Sequence, residues 1–352
     1  MVVKYLDYKL NAIPSPTNKK DYSLDMYIAG SEMPKLTEPV EPVKAHYMPR
    51  AIYDQGQDGM CVDFTFRELA ESFMLAELES EYVEIANGFF YGFRGERDWQ
   101  GEGLVPVEVL NIWRKYGVPR RKDFNATGTY EQCKAAVEAK GKDIFNLALS
   151  QKIKSFVRLR NVHEIATYIK KTGFPVPIMF PVYSNIVEAQ GTGIVPFPAG
   201  TFLGRHEVLA CEIFYRNGMP RVRFQNSWNE NWGDKGFGDI DPSMISESWG
   251  VWDDYPESLS DYPTEMVFQV GNKRVITDKG TVVMGEDEVP ILHNDRIKLP
   301  IRKPFELIGW YVDWYQNIEI DPVTKEKTYR DYVLIHKYPS DEHTLEKFGI
   351  KR

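Results

Sequence analysis

The stretch Asp54-Gln55-Gly56-Gln57-Asp58-Gly59-Met60-Cys61-Val62-Asp63-Phe64 decides how the rest of the chain is read. Two glycines make a loop, a cysteine follows, and a helical pattern begins. From Val62 the larger apolar residues fall at Phe66, Leu69, Ala70, Phe73, Met74 and Ala76, a period close to 3.6. This places Cys61 at the first turn of a buried helix, where unpaired backbone N–H groups and the helix dipole favour a thiolate over a thiol. Gln55 lies upstream in the same loop, with a side-chain amide able to turn toward the same point.

The stretch resembles the active-site loop of papain-like (C1 family) cysteine peptidases, in which a glutamine precedes the nucleophile at this interval. Met60 stands where that family has a small residue, and Val62 where it has an aromatic. Such a cysteine finds its partner His and Asn roughly 130–150 residues downstream. Gly204-Arg205-His206-Glu207-Val208-Leu209-Ala210-Cys211 opens a half-buried strand pattern in that interval. The next strand, Arg221–Gln225, delivers Asn226-Ser227-Trp228, and Trp232-Gly233-Asp234-Lys235-Gly236-Phe237-Gly238 follows. These segments resemble the family's Gly-His strand and its Asn-Ser-Trp…Trp-Gly segment, with Phe237 in place of a Tyr. Asn226 lies somewhat beyond the interval, which a longer loop at Arg216–Pro220 would explain.

The resemblance implies a thiol endopeptidase. Cys61 would attack the carbonyl, His206 would carry the proton, Asn226 would orient the imidazole, and Gln55 with the Cys61 amide would hold the oxyanion. Trp228 would shield the His206–Asn226 bond. Gly101-Glu102-Gly103-Leu104, before a second helical pattern ending at Tyr116-Gly117, resembles the family's peptide-binding segment. Gly101, Gly103 and Trp228 are therefore the expected substrate-binding residues, although a plain turn fits the glycines equally well. Asp63 and Glu207 put carboxylates beside the nucleophile and the histidine; close to that pair, either would raise the thiol pKa. A papain-like domain that binds but cleaves weakly, within a larger assembly, stays open, as does hydrolysis of peptidoglycan peptides.

Around this block the chain has three parts. Residues 1–48 read as an extended arm, whose Ala12-Ile13-Pro14…Asp21-Tyr22 segment resembles the leader of bacterial and archaeal relatives. So short an arm holds no long helical pro-segment, so latency is expected to come from elsewhere or to be absent. Residues 49–262 form the peptidase-like domain. Helices come first (130–142 and 162–171 among them) and strands later, giving an α+β, two-lobed fold with a helical lobe and a β-barrel-like lobe. Past Pro256–Pro263, read as a linker, residues 267–352 read as a small β-rich domain. A hairpin near Lys273–Thr281 and a short helix at Pro304–Ile308 lead to a last strand near Tyr329–Tyr338. This part resembles the copper amine oxidase-like stalk domain of Gram-positive surface proteins; His293 has no neighbouring ligand set, and no copper or other cofactor is expected.

Composition narrows the partners. The 352 residues are 43% hydrophobic and 27% charged, with a net charge of −8, which gives no reason to expect nucleic acid. No run approaches the roughly 18 apolar residues of a membrane helix, so no membrane insertion is expected. Met1–Tyr8 lacks the apolar run of a secretory signal. Cys61, Cys133 and Cys211 are too sparse for a disulfide framework or a metal cluster, and a reducing compartment is the easier reading. The expected substrate is a polypeptide. From domain company alone, residues 267–352 are expected to meet a surface or virion partner, with carriage in a phage particle as one location.

Overall fold

The computed structural model describes residues 8–17, 24, 36–78, 82–94, 102–148 and 152–252, and seven strands between 265 and 336. The chain divides into two compact units, Met1–Asp254 and Tyr255–Arg352.

The first unit is built on helix α1, Cys61–Leu78. Phe64 N donates to Met60 O at 2.9 Å, so helical pairing starts immediately before the cysteine. Every residue from Met60 to Met74 is buried, so α1 is a core helix enclosed on all sides rather than an amphipathic surface one. Several of its polar residues are paired, although Arg67 Nε and Glu68 Oε1 have no hydrogen-bond partner among the described residues. Arg67 and Glu71 form an ion pair at 2.6 Å, and Glu71 also accepts from the Tyr53 and Tyr82 hydroxyls and from Ile85 N. Such added partners offset part of the cost of burying the pair.

Around α1 pack α2 (Phe89–Phe93), α3 (Pro106–Tyr116), α4 (Tyr130–Lys140) and α5 (Asp143–Ala148), forming the helical lobe and its core. Proline at the first position starts α3 and Gly117, at φ +84°, ends it. Thr129 and Gln132 close a reciprocal capping box on α4.

The other lobe is an antiparallel sheet of β1 (Val43–Lys44), β2 (Ser155–Arg158), β3 (Val176–Tyr183), β4 (Phe202–Arg216), β5 (Met219–Gln225), β6 (Phe237–Ile240) and β7 (Glu247–Trp252). Its order is β2-β7-β3-β4-β5-β6, with β1 also on β4 and helix α6 (Val162–Thr172) beside it. A second core lies within this lobe. The structure corrects the expectation of a long loop at Arg216–Pro220. Asn217 and Gly218, at φ 52° and 78°, make a two-residue turn, and Arg216 pairs directly with Met219. Both turn residues adopt the left-handed region that matches the twist of the flanking strands. The extra length before Asn226 is carried by the strands themselves.

The second unit holds β8 (Glu265–Gln269), β9 (Arg274–Thr277), β10 (Gly280–Val283), β11 (Ile291–His293), β12 (Arg296–Lys298), β13 (Tyr311–Ile320) and β14 (Lys327–His336). Five of them form an antiparallel sheet, β10-β9-β8-β14-β13, and β11 pairs with β12. The expected hairpin is β9–β10, and the expected last strand falls on β14. The expected linker at 256–263 and helix at 304–308 lie outside the described residues.

Candidate active site

The two lobes bring Cys61 and His206 together from different elements. Cys61 opens α1; His206 lies within β4, opposite Phe180 of β3. The Cys61 sulfur accepts from the backbone N–H of Glu207, the residue after His206. Asn226 follows β5, its own N–H bound to Gly236 O at 2.9 Å. The Asn226 side-chain oxygen lies 2.7 Å from His206 Nε2 and also accepts from Ser227 N at 2.9 Å. An acceptor at Nε2 puts the neutral ring's proton there and leaves Nδ1 with its lone pair. Nδ1 is buried and has no hydrogen-bond partner among the described residues. Trp228 stacks on the imidazole with centroids 4.5 Å apart, and the edge of Phe180 closes another side.

Gln55 is fixed from the same sheet end. Its N–H donates to Ser227 O at 2.8 Å, and its side-chain carbonyl accepts from the Ser227 hydroxyl at 2.7 Å. That leaves the amide nitrogen as donor, to Asp58 O at 3.0 Å and to Lys9 O at 3.4 Å.

Lys9 belongs to the arm, and the described part of the arm lies between the lobes. Ala12 N donates to Arg205 O at 3.1 Å on one side, and Leu104 N donates to Asn11 O at 3.3 Å on the other. Ile13 N returns a bond to Leu104 O at 3.1 Å, Val107 N donates to the Ser15 hydroxyl at 3.0 Å, and Ser15 N donates to Glu247 at 2.9 Å. Both lips approach the arm through glycine. A Cβ at Gly103 would meet Asn11 O at 2.4 Å, and one at Gly204 would meet Leu10 O at 2.2 Å. Their φ of +124° and +147° also suits glycine alone. Gly103 lets the arm come close, but its own N–H and carbonyl are taken by the Tyr91 hydroxyl at 3.2 Å and Arg94 at 2.5 Å, so Leu104 makes the backbone pairing with the arm; Gly101 lies outside the described residues. Tyr8 stacks on the outer face of Trp228 at 5.2 Å.

The electrostatics are those of a covered site. Burial pushes the Cys61 thiol up to about 12; the Glu207 carboxylate adds to the rise, and N–H groups of Glu207, Asn11 and Val62 oppose it. Burial lowers His206 to about 4, against the Asn226 hydrogen bond. Under the arm the pair is therefore neutral. Asp63, the other carboxylate suspected from sequence, is engaged elsewhere: it accepts from Gly88 N and Tyr91 N at 2.9 and 3.0 Å, at the start of α2. Glu247 was not singled out from sequence; nothing in its local pattern signals that its strand begins beside the arm.

Comparison with known proteins agrees with this geometry. The family described as Papain family cysteine protease matches residues 42–248, more than half of the chain. The chain is 27% identical over 200 residues to thiol protease aleurain of Arabidopsis thaliana, covering 53% of this chain and 51% of that protein. It is 36% identical over 78 residues to a cathepsin B-like cysteine proteinase of Caenorhabditis elegans, 22% of each chain. The chain thus spans about half or less of these curated relatives. Its fold is similar to that of xylellain, a cysteine protease from Xylella fastidiosa, with a TM-score of 0.56 at 18% identity over 70% of this chain and 96% of that one. A pro-cathepsin B from Trypanosoma congolense is similar at a TM-score of 0.53, 15% identity, and 71% and 87% coverage. With a buried cysteine helix facing a histidine strand and the family match spanning both lobes, the chain belongs to the papain family of cysteine proteases.

Proposed function

We propose that the chain is a thiol peptidase that cleaves polypeptides through Cys61, His206 and Asn226, with Gln55 as an oxyanion donor. The observation that carries this reading is the 2.7 Å bond from His206 Nε2 to Asn226 beneath Trp228, on the strand whose next amide meets the Cys61 sulfur. Once the cleft opens, water and a charged partner favour the thiolate–imidazolium pair at the helix N-terminus. Cys61 then attacks the scissile carbonyl, the oxyanion is met by Gln55 Nε2 and the Cys61 amide, and His206 protonates the leaving amine. Water, deprotonated by His206, releases the acyl group from sulfur.

In this reading, activity requires the arm to leave, because Arg205 O and the Leu104 backbone cannot pair with the arm and a substrate together. The full chain carrying Ala12→Pro, which removes the N–H given to Arg205 O, is the form to assay. It is expected to degrade casein with loss of activity in a Cys61→Ala counterpart. Activity on purified cell wall but not on casein would move the substrate to peptidoglycan peptides; activity on neither would favour a binding module. The expectation that residues 267–352 hold the enzyme on a surface or virion rests on domain company, and their resemblance to a stalk domain rests on a sequence pattern; retention of that segment alone on isolated particles or walls tests the placement.

A further inference from the structure

The lip of the cleft on the helical lobe has little stiffness of its own. Gly103 has no Cβ and stands at φ +124°, a conformation that only glycine adopts at little cost, so the residue itself does not hold its backbone there. What holds it comes from α2. The Tyr91 hydroxyl accepts from Gly103 N at 3.2 Å and donates to the carboxylate of Glu102, the residue before. Arg94 Nη1 donates to Gly103 O at 2.5 Å. Both polar groups of the glycine are thus gripped by side chains, one on each side of its Cα.

This clamp is itself anchored. Tyr91 is 0% exposed, and Arg94 is buried too. The Arg94 guanidinium lies 3.6 Å from the centroid of the Tyr130 ring of α4 and 5.3 Å from that of Tyr91, which restrains a long side chain of high rotamer freedom. At its base, Tyr91 N donates to Asp63 Oδ1 at 3.0 Å, and Asp63 belongs to the first turn of α1, which opens with Cys61. A chain of bonds therefore runs from the cysteine helix through Asp63 and Tyr91 to Gly103. Leu104, the next residue, gives its N–H to Asn11 O and receives Ile13 N at its carbonyl.

We infer that Tyr91 and Arg94 are positioning residues of the cleft, which set the Leu104 backbone relative to Cys61 for pairing with an extended polypeptide. The inference rests on the peptidase reading only in taking that polypeptide to be a substrate; the arm displays the pairing itself. With the clamp in place the lip is ordered before a chain arrives. Without it, part of the free energy of each Leu104 bond is spent on ordering a glycine. Affinity is then lost on the Leu104 side of the cleft and kept on the Arg205 side. Sulfur and imidazole do not move, so in turnover the loss falls on KM rather than on kcat.

The test uses the full chain carrying Ala12→Pro and Cys61→Ala, with a synthetic peptide of the arm sequence Tyr8–Pro16 as the probe. Two further peptides have one amide exchanged for an ester: at Ile13, whose N–H meets Leu104 O, or at Ala12, whose N–H meets Arg205 O. In the parent chain each ester should bind about fivefold more weakly, the worth of one hydrogen bond. In Tyr91→Phe and in Arg94→Met the Ile13 penalty should vanish while the Ala12 penalty stays, and Arg94→Lys, which keeps a donor, should restore part of it. Tyr91→Phe removes a single oxygen and keeps the test decisive if Arg94→Met melts early. An Ile13 penalty that survives both substitutions, loss of both penalties together, or a parent that shows no binding or no penalty overturns the proposal. In parallel, casein turnover by the Ala12→Pro chain with Cys61 intact should show KM raised about fivefold by Tyr91→Phe at nearly unchanged kcat; a fall in kcat at constant KM overturns the positioning role. If no form turns over casein while the ester pattern holds, the peptidase reading fails and the clamp stands.

Discussion

The imidazole of His206 shows how much one residue's surroundings decide. It is stacked under Trp228, bound at Nε2 by Asn226, and free of a partner at Nδ1 among the described residues. Gln55 is similarly committed, its carbonyl held by Ser227 so that only its N–H side faces the arm carbonyl of Lys9. Gln55→Ala should lower kcat by roughly 10²–10³-fold with little change in KM, the usual cost of one oxyanion donor; steady-state kinetics on the arm-opened form would show it. A fall in KM-controlled binding instead would assign Gln55 to positioning. His206, Asn226 and Gln55 were legible in the sequence because each sits at a fixed place in a short motif. The task of Asp63 was not. Its bonds to Gly88 N and Tyr91 N join residues far apart in the chain, and a carboxylate on a helix looks the same from sequence whether it meets solvent, a thiol or a distant helix start.

At the scale of elements, Asp63 ties α1 to α2. Removing it orphans two buried N–H groups, so Asp63→Ala should destabilise the first unit by about 2–3 kcal/mol, read from denaturant unfolding. The pH dependence has a definite sign. Burial raises the Asp63 carboxyl from 3.8 to about 6, against the backbone N–H bonds. The folded state therefore binds this proton more tightly than the unfolded one. Its contribution is fully present below pH 3.8 and declines as pH rises through about 6. Asp63→Asn should flatten that part of the stability curve, and an unchanged slope would show that another group carries it. The arm is the element the sequence concealed. Its hold on the cleft comes from backbone bonds to Leu104 and Arg205 and from the missing side chains of Gly103 and Gly204, none of which leaves a periodic pattern. Ala12→Pro, losing one such bond and forcing the arm outward, should raise the rate of Cys61 alkylation at neutral pH about tenfold or more, since 1.4 kcal/mol is a factor of ten.

Over the whole molecule, the order of helices before strands made the two-lobed architecture readable, and the paired strands β4 and β5 carry His206 and lead into Asn226. The Met1–Asp254 and Tyr255–Arg352 units have separate sheets, so differential scanning calorimetry should resolve two transitions, with Asp63→Ala lowering only one. A single transition lowered as a whole would contradict independent units.

The central claim is that Cys61 is activated by His206. Its most direct measurement is the rate of epoxysuccinyl labelling at each cysteine, read by peptide mass spectrometry on the arm-opened full chain with and without His206→Ala. The account predicts selective labelling of Cys61 that collapses when the imidazole is removed. Cys61 reacting no faster than the buried Cys133 and Cys211, or equally fast without His206, would contradict it.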